Sequence, residues 1–133
     1  MIFFLDTDIC IFALRGAYPA LNRAFRECNP ARIKVSAVVL AELLLGVQRS
    51  RHELTARKAV TAFLEPFEVV PFDRAAAEAY AHIREDLESK GQVIGPNDLM
   101  IAAICVARRA TLVTHNTGEF GRVPGLKLQD WTA

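Results

Sequence analysis

Residues 2–8 read IFFLDTD. Four apolar residues run without alternation into two carboxylates. A continuous apolar run is what a strand covered on both faces requires, and such strands belong to parallel sheets flanked by helices. The stretch ICIFALR that follows ends at Gly16 and reads as a short helix. Asp6 therefore stands at the carboxyl end of a buried strand, the edge where open α/β sheets bind their ligands.

The rest of the chain repeats this grammar. Tyr18–Cys28 has helical spacing, and Arg32–Val35 predicts a second short strand. Ser36 is placed to cap the helix AVVLAELLLGV, and Arg51–Leu64 predicts a further helix. The stretch FEVVPF at 67–72 predicts a third strand, and Asp73 caps a long Ala-rich helix that runs to Lys90 and stops at Gly91. Pro96 and Asn97 open a helix through Arg109, Ala110 makes a tight connection, and TLVT at 111–114 is a fourth strand. A last strand is expected over Leu126–Leu128. Short apolar strands separated by helices predict an α/β fold with a short parallel sheet of four to five strands and helices on both faces. There is no repeat, low-complexity tract or linker, so residues 1–133 are expected to form one domain.

Composition narrows the class. The chain has 133 residues, 52% of them hydrophobic, enough for a sizeable core and too many for a disordered chain. Apolar stretches fall short of the roughly 18 residues a membrane span needs. No basic segment precedes the first strand, so no signal peptide is expected and a cytoplasmic location is. Cys10, Cys28 and Cys105 are far apart and odd in number, which predicts buried, reduced thiols and no zinc site. Net charge is only +1, but residues 15–58 hold nine Lys/Arg against three Asp/Glu. Residues 65–88 hold seven Asp/Glu against two Arg. This asymmetry predicts a basic face suited to a polyanion.

Several polar residues are expected at the edge occupied by Asp6. Asn116 directly follows the fourth strand, and Glu119 lies three residues on. The helix that starts near Asp98 feeds that strand through a tight turn, so its N-terminus returns to the same edge. Glu42 lies less than two turns inside the helix that leaves the second strand. Its helical neighbours, Val38, Val39, Leu45 and Gly46, are all apolar or small. A solvated Glu shares its face with other polar residues, and an unpaired buried one is costly, so Glu42 needs a partner. Asp6, Glu42, Asp98, Asn116 and Glu119 are thus expected to converge. Each also has a structural reading. Asp8, and alternatively Asp6, caps the first helix. Asp98 answers a helix dipole, and Glu119 is a solvated loop residue. His52, His82 and His115 show no triad-like arrangement, and His115, beside the cluster, reads as structural or ligand-facing.

Convergent carboxylates repel, and an all-oxygen set suits a hard cation, Mg²⁺ with Mn²⁺ as its substitute. Such an ion, with substrate phosphates, describes phosphodiester hydrolysis by activated water, leaving a 5′ phosphate.

Five segments in order, LDTDICIF at 5–12, AELLLGV at 41–47, GPNDLMIAA at 95–103, VTHNTGEF at 113–120 and RVPGLKLQDW at 122–131, resemble the PIN domain, specifically the VapC ribonuclease toxins. The resemblance implies a three-layer α/β/α sandwich and Mg²⁺-dependent endoribonuclease activity. It implies a cognate antitoxin and a homodimer as well. The family's acidic positions fall on Asp6, Glu42 and Asp98, with Asp8, Thr7, Asn116 and Glu119 in supporting places. CIF near the start together with RVPGLKLQDW is similar to members that cut initiator tRNA at the anticodon loop. The chain departs from many PIN domains in carrying Asn116 where a fourth acid stands, and Asp8 where close relatives have Asn.

Two other classes share features with this pattern. Asp-x-Asp after a first strand also resembles haloacid-dehalogenase phosphatases, in which Asp6 would be a nucleophile. That reading leaves Glu42 without a role and Asp98 without a second acid beside it. The other is a binding module that keeps the fold without the activity. RNA cleavage with and without Mg²⁺ separates the three.

Overall fold

A computed structural model describes all of residues 1–133. The elements follow in the order β1 (Phe3–Leu5), α1 (Thr7–Arg15), α2 (Pro19–Glu27), β2 (Ile33–Ser36), α3 (Ala37–Gln48), α4 (Glu53–Leu64), β3 (Glu68–Val70), α5 (Arg74–Ser89), α6 (Pro96–Ala107), β4 (Thr111–Val113), α7 (Thr117–Phe120) and β5 (Lys127–Gln129). The five strands form one sheet in the order β3-β2-β1-β4-β5, and every pairing is parallel. The first strand is therefore the central one, which is why it shows no polar alternation: Phe4 and Leu5 are both buried.

The chain steps outward from β1 to β3, then returns across the sheet to place β4 on the other side of β1. Right-handed crossovers put α1–α4 on one face and α5 and α6 on the other. The direction of strand addition reverses between β1 and β4, and at that point the carboxyl ends of two neighbouring strands open a crevice. The pairing Leu5↔Val113 brings the ends of both strands level.

Local chemistry sets the elements that reach this crevice. Ser36 caps α3 by accepting from the Val39 N–H at 3.1 Å. Asp73 caps α5 in the same way through Ala76. The end of α6 is a Schellman turn: the Ala110 N–H reaches the Cys105 carbonyl and the Arg109 N–H that of Val106. Arg109 sits at φ 54°, a left-handed position usually given to glycine. That tight reversal returns the start of α6 to the crevice.

Several expectations shift. Asp6, rather than Asp8, is the N-cap of α1, accepting from the Thr7 N–H at 2.9 Å. The expected strand over 67–72 shortens to β3, because Pro71 ends its ladder hydrogen bonding. The last strand lies one residue later than expected, as β5. The short helix α7 and a 3₁₀ turn at Pro30–Arg32 had no periodicity long enough to announce them. Cys10 and Cys105 are buried free thiols, while Cys28 is half-buried at the end of α2. No helix is long and apolar enough to cross a membrane.

Ser36 is buried, so its hydroxyl is the only group positioned to satisfy the first turn of α3. Ser36→Ala should lower unfolding free energy by about 1–2 kcal/mol. Equilibrium urea denaturation followed by circular dichroism checks this; an unchanged midpoint would show that the cap contributes nothing.

Candidate active site

Asp6 is the innermost acid, only 6% exposed. Its main-chain N–H continues the β1–β4 ladder by donating to the Val113 carbonyl at 2.9 Å. One carboxylate oxygen accepts from the Thr7 N–H, and the other accepts from the Thr114 hydroxyl at 2.7 Å. Thr114 is wholly buried. The same hydroxyl accepts from the Asn116 N–H at 2.9 Å, so one side chain ties the tip of β1 to the turn after β4.

Glu42 finds its partner on the neighbouring helix. The Thr7 hydroxyl donates to Glu42 Oε1 at 2.7 Å. Thr7 is thus a double link: its N–H fixes Asp6 and its hydroxyl fixes Glu42. The rest of Glu42 faces a groove of about 430 Å³ between α1, α3 and α4, walled by Ile11, Leu14, Leu43, Val47 and Val60. This explains an acid on an apolar helix: it emerges at a groove edge and is held there by a hydroxyl.

Asp98 is in the first turn of α6, on the layer opposite Glu42, where α6 packs against α3. Asn116 donates its side-chain amide to Glu119 Oε2 at 2.8 Å. Asn116 therefore orients Glu119, and Glu119 in turn acts electrostatically on Asp98. Asp8 accepts from the His115 N–H at 3.2 Å through Oδ2, while its Oδ1 is buried with no hydrogen-bond partner.

These groups feel one another. Burial, then the charges of Asp8 and Asp98, push Asp6 up to about 7 against the hydrogen bonds from Thr114 and Thr7. Burial, then Glu119, Glu42 and Asp8, raise Asp98 to about 6. Asp8 is raised as well, chiefly by burial. No Lys or Arg pairs with Asp6, Asp8, Glu42 or Asp98. Of the residues expected to converge, Asp6 and Glu42 are linked through Thr7, Asn116 bonds Glu119, and Asp98 lies within electrostatic reach of Glu119, Glu42 and Asp8. Thr114, which holds Asp6, was not expected; its only signal in the sequence is a hydroxyl ending the apolar run TLV.

The donor set fits a hard divalent cation. It is all oxygen, forms no salt bridge with a Lys or Arg, and includes a buried carboxylate oxygen with nothing to bond. No three of the acids are close enough to form a ready-made three-ligand cage. That suits an ion held by one or two carboxylates and completed by waters.

The sequence pattern that defines the PIN domain matches residues 3–126, and the chain belongs to the PIN-domain family. The chain is 38% identical over 132 residues to ribonuclease VapC2 of Rickettsia felis, covering 98% of each protein. It is 37% identical over 130 residues to the tRNA(fMet)-specific endonuclease VapC of Shigella flexneri, again over 98% of each. Its fold matches the DNA-bound VapBC structure from Salmonella typhimurium with a TM-score of 0.93, at 34% identity and 98% coverage of each chain. The activity is accordingly that of a VapC-type endoribonuclease toxin, a class of nuclease that generally depends on a divalent metal. Neither the phosphatase reading nor the inactive binding module is favoured by these relatives.

The raised acids make stability depend on pH. A carboxyl whose folded pKa lies above its unfolded value of about 4 binds more protons when folded, so stability falls as pH rises. The contribution is fully present below pH 4 and is lost as pH passes through about 6 for Asp98 and about 7 for Asp6. In EDTA, the wild type should lose melting temperature between pH 5 and pH 8 relative to Asp6→Asn. Parallel pH profiles for the two chains would refute the repulsion.

Proposed function

We propose that Asp6, Asp98 and Glu42 are the catalytic acids and the metal site of a divalent ion, Mg²⁺ with Mn²⁺ able to replace it, Asp6 and Asp98 facing the ion and Glu42 reaching it through a coordinated water. Thr7, Asp8, Asn116 and Glu119 support them. The observation that carries this reading is the set of mutually repelling acids, without a Lys or Arg partner, at the β1–β4 switch point. When bound, such an ion acidifies water and neutralises charge on a phosphodiester. The chain's own residues do the positioning. Thr114 and the Thr7 N–H hold Asp6 with its oxygens fixed, and the Thr7 hydroxyl orients Glu42. Asp98 arrives on a different element, so phosphate and water are approached from two layers of the fold. The product of in-line attack by water carries a 5′ phosphate.

The substrate in this reading is RNA, and initiator tRNA, cut at the anticodon loop, is the specific candidate. The tRNA(fMet)-specific name of the Shigella relative and the CIF and RVPGLKLQDW segments support it. A cognate antitoxin is the partner, as in the VapBC complex of Salmonella. It silences the site by bringing a basic side chain to the acids or by covering the apolar groove beside Glu42, where Leu14 is also exposed. The chain works as one PIN domain over residues 1–133, in the cytoplasm, as a homodimer that assembles further with its antitoxin.

Asp6→Ala or Asp98→Ala should abolish cleavage while circular dichroism stays native. Thr7→Val, which removes only the hydroxyl that orients Glu42, should slow it roughly 10- to 100-fold. End-mapping of tRNA and bulk RNA incubated with the purified chain in Mg²⁺ and in EDTA is the test. Cleavage that persists in EDTA, or in Asp98→Ala, would overturn the assignment.

A further inference from the structure

Beside the acids, at the margin of the core, lies a second group of rings, and His115 in it is exposed. Phe12 on α1 meets Tyr18 edge-to-face, with centroids 5.0 Å apart. It meets the His115 ring in the same way at 5.9 Å. Tyr18 and His115 face each other obliquely at 6.2 Å and 38°. The core aromatics form a separate cluster, Phe3, Phe25, Phe63, Phe67 and Trp131. Tyr18 is half-buried and His115 is exposed, so both rings offer surface to solvent.

The His115 ring is held in place although it is exposed. Nδ1 lies 2.9 Å from Asp130 Oδ2 and 3.1 Å from the Thr132 hydroxyl. Asp130 is itself fixed, accepting from both the N–H and the hydroxyl of Thr132 at Oδ1. Because a carboxylate only accepts, the hydrogen-bond network assigns a proton to Nδ1. The main chain of the same residue binds Asp8. The ring platform and the acid cluster therefore share His115, and their relative position is rigid.

We propose that Tyr18 and His115, supported from behind by Phe12, form a stacking subsite for an unpaired nucleobase next to the scissile phosphate. This rests on the nuclease reading above. Loop RNA is recognised through splayed bases stacked on Phe, Tyr, Trp or His, and every base offers a π face. The residue whose main-chain N–H binds Asp8 carries one of the rings, so the platform flanks the place where a phosphate would meet the acids. An ordered platform stacks a base without first freezing free rotamers, so little of the stacking energy is lost to ordering.

Single-stranded oligoribonucleotides that carry 2-aminopurine at successive positions around the mapped cut provide the test. With wild type in Mg²⁺, stopped-flow mixing should quench the probe at one flanking position before product forms. Tyr18→Phe should preserve the quenching. Tyr18→Leu should remove it and lower kcat/KM roughly 5- to 150-fold, the loss being carried by KM. His115→Gln, at an exposed side chain, repeats the test should Tyr18→Leu fail to fold. Cleavage by wild type without quenching, or an unchanged KM in both variants, overturns the subsite and leaves the nuclease reading standing. Quenching without any cleavage does the reverse. Loss of antitoxin binding with an unchanged KM would assign the rings to the protein partner and overturn the proposal.

Discussion

The hydrogen bond from the Thr114 hydroxyl to Asp6 joins residues 108 positions apart, and the site depends on it. It exists because β4 pairs directly with β1 in register, so both strands end at the same level. Without that bond a carboxylate 6% exposed would have only one main-chain donor to compensate its burial. With it, Asp6 keeps a fixed orientation, and the bond offsets part of the cost of its buried charge. The hydroxyl also accepts from the Asn116 N–H, so the turn that carries Asn116 and Glu119 is set by the same side chain.

The remaining acids are placed by the packing of the two helical layers. Glu42 rides on α3 and Asp98 on α6, from opposite faces of the sheet, and the two helices meet at the crevice. Each helix is fixed by an end that leaves little freedom: the buried Ser36 cap at the start of α3 and the Schellman turn after α6. The sheet holds the strand tips, the helices bring the second and third carboxylates, and short hydroxyl bonds aim them.

The arrangement works against the stability of the free chain. Burial raises Asp6, Asp8 and Asp98, repulsion from neighbouring acids adds to it at Asp6 and Asp98, and no Lys or Arg of the chain forms an ion pair with them. A protein selected only for stability would place a Lys or Arg among these acids, or replace one of them. Their retention in a region that ordinary folding rules disfavour is what separates this edge from a decorated sheet end.

Much of this could be read along the chain. The unbroken apolar run before Asp6 predicts a central parallel strand. Ser36 and Asp73 mark helix starts, Gly16 marks a helix end, and the apolar surroundings of Glu42 single it out as needing a partner. These are local signals, carried by side chains a few residues apart. What the tertiary structure decided was which polar atoms face each other. That Asp6 rather than Asp8 caps α1, that Glu42 is paired with Thr7, that Asn116 turns to Glu119, and that Asp8 is bound by His115 all follow from strand register and helix packing. Hydrogen bonds reach about 3 Å, so a shift of one residue in the β1–β4 pairing would break every one that crosses it. The sequence names the residue types that must meet; only the packed fold fixes the distances at which they do.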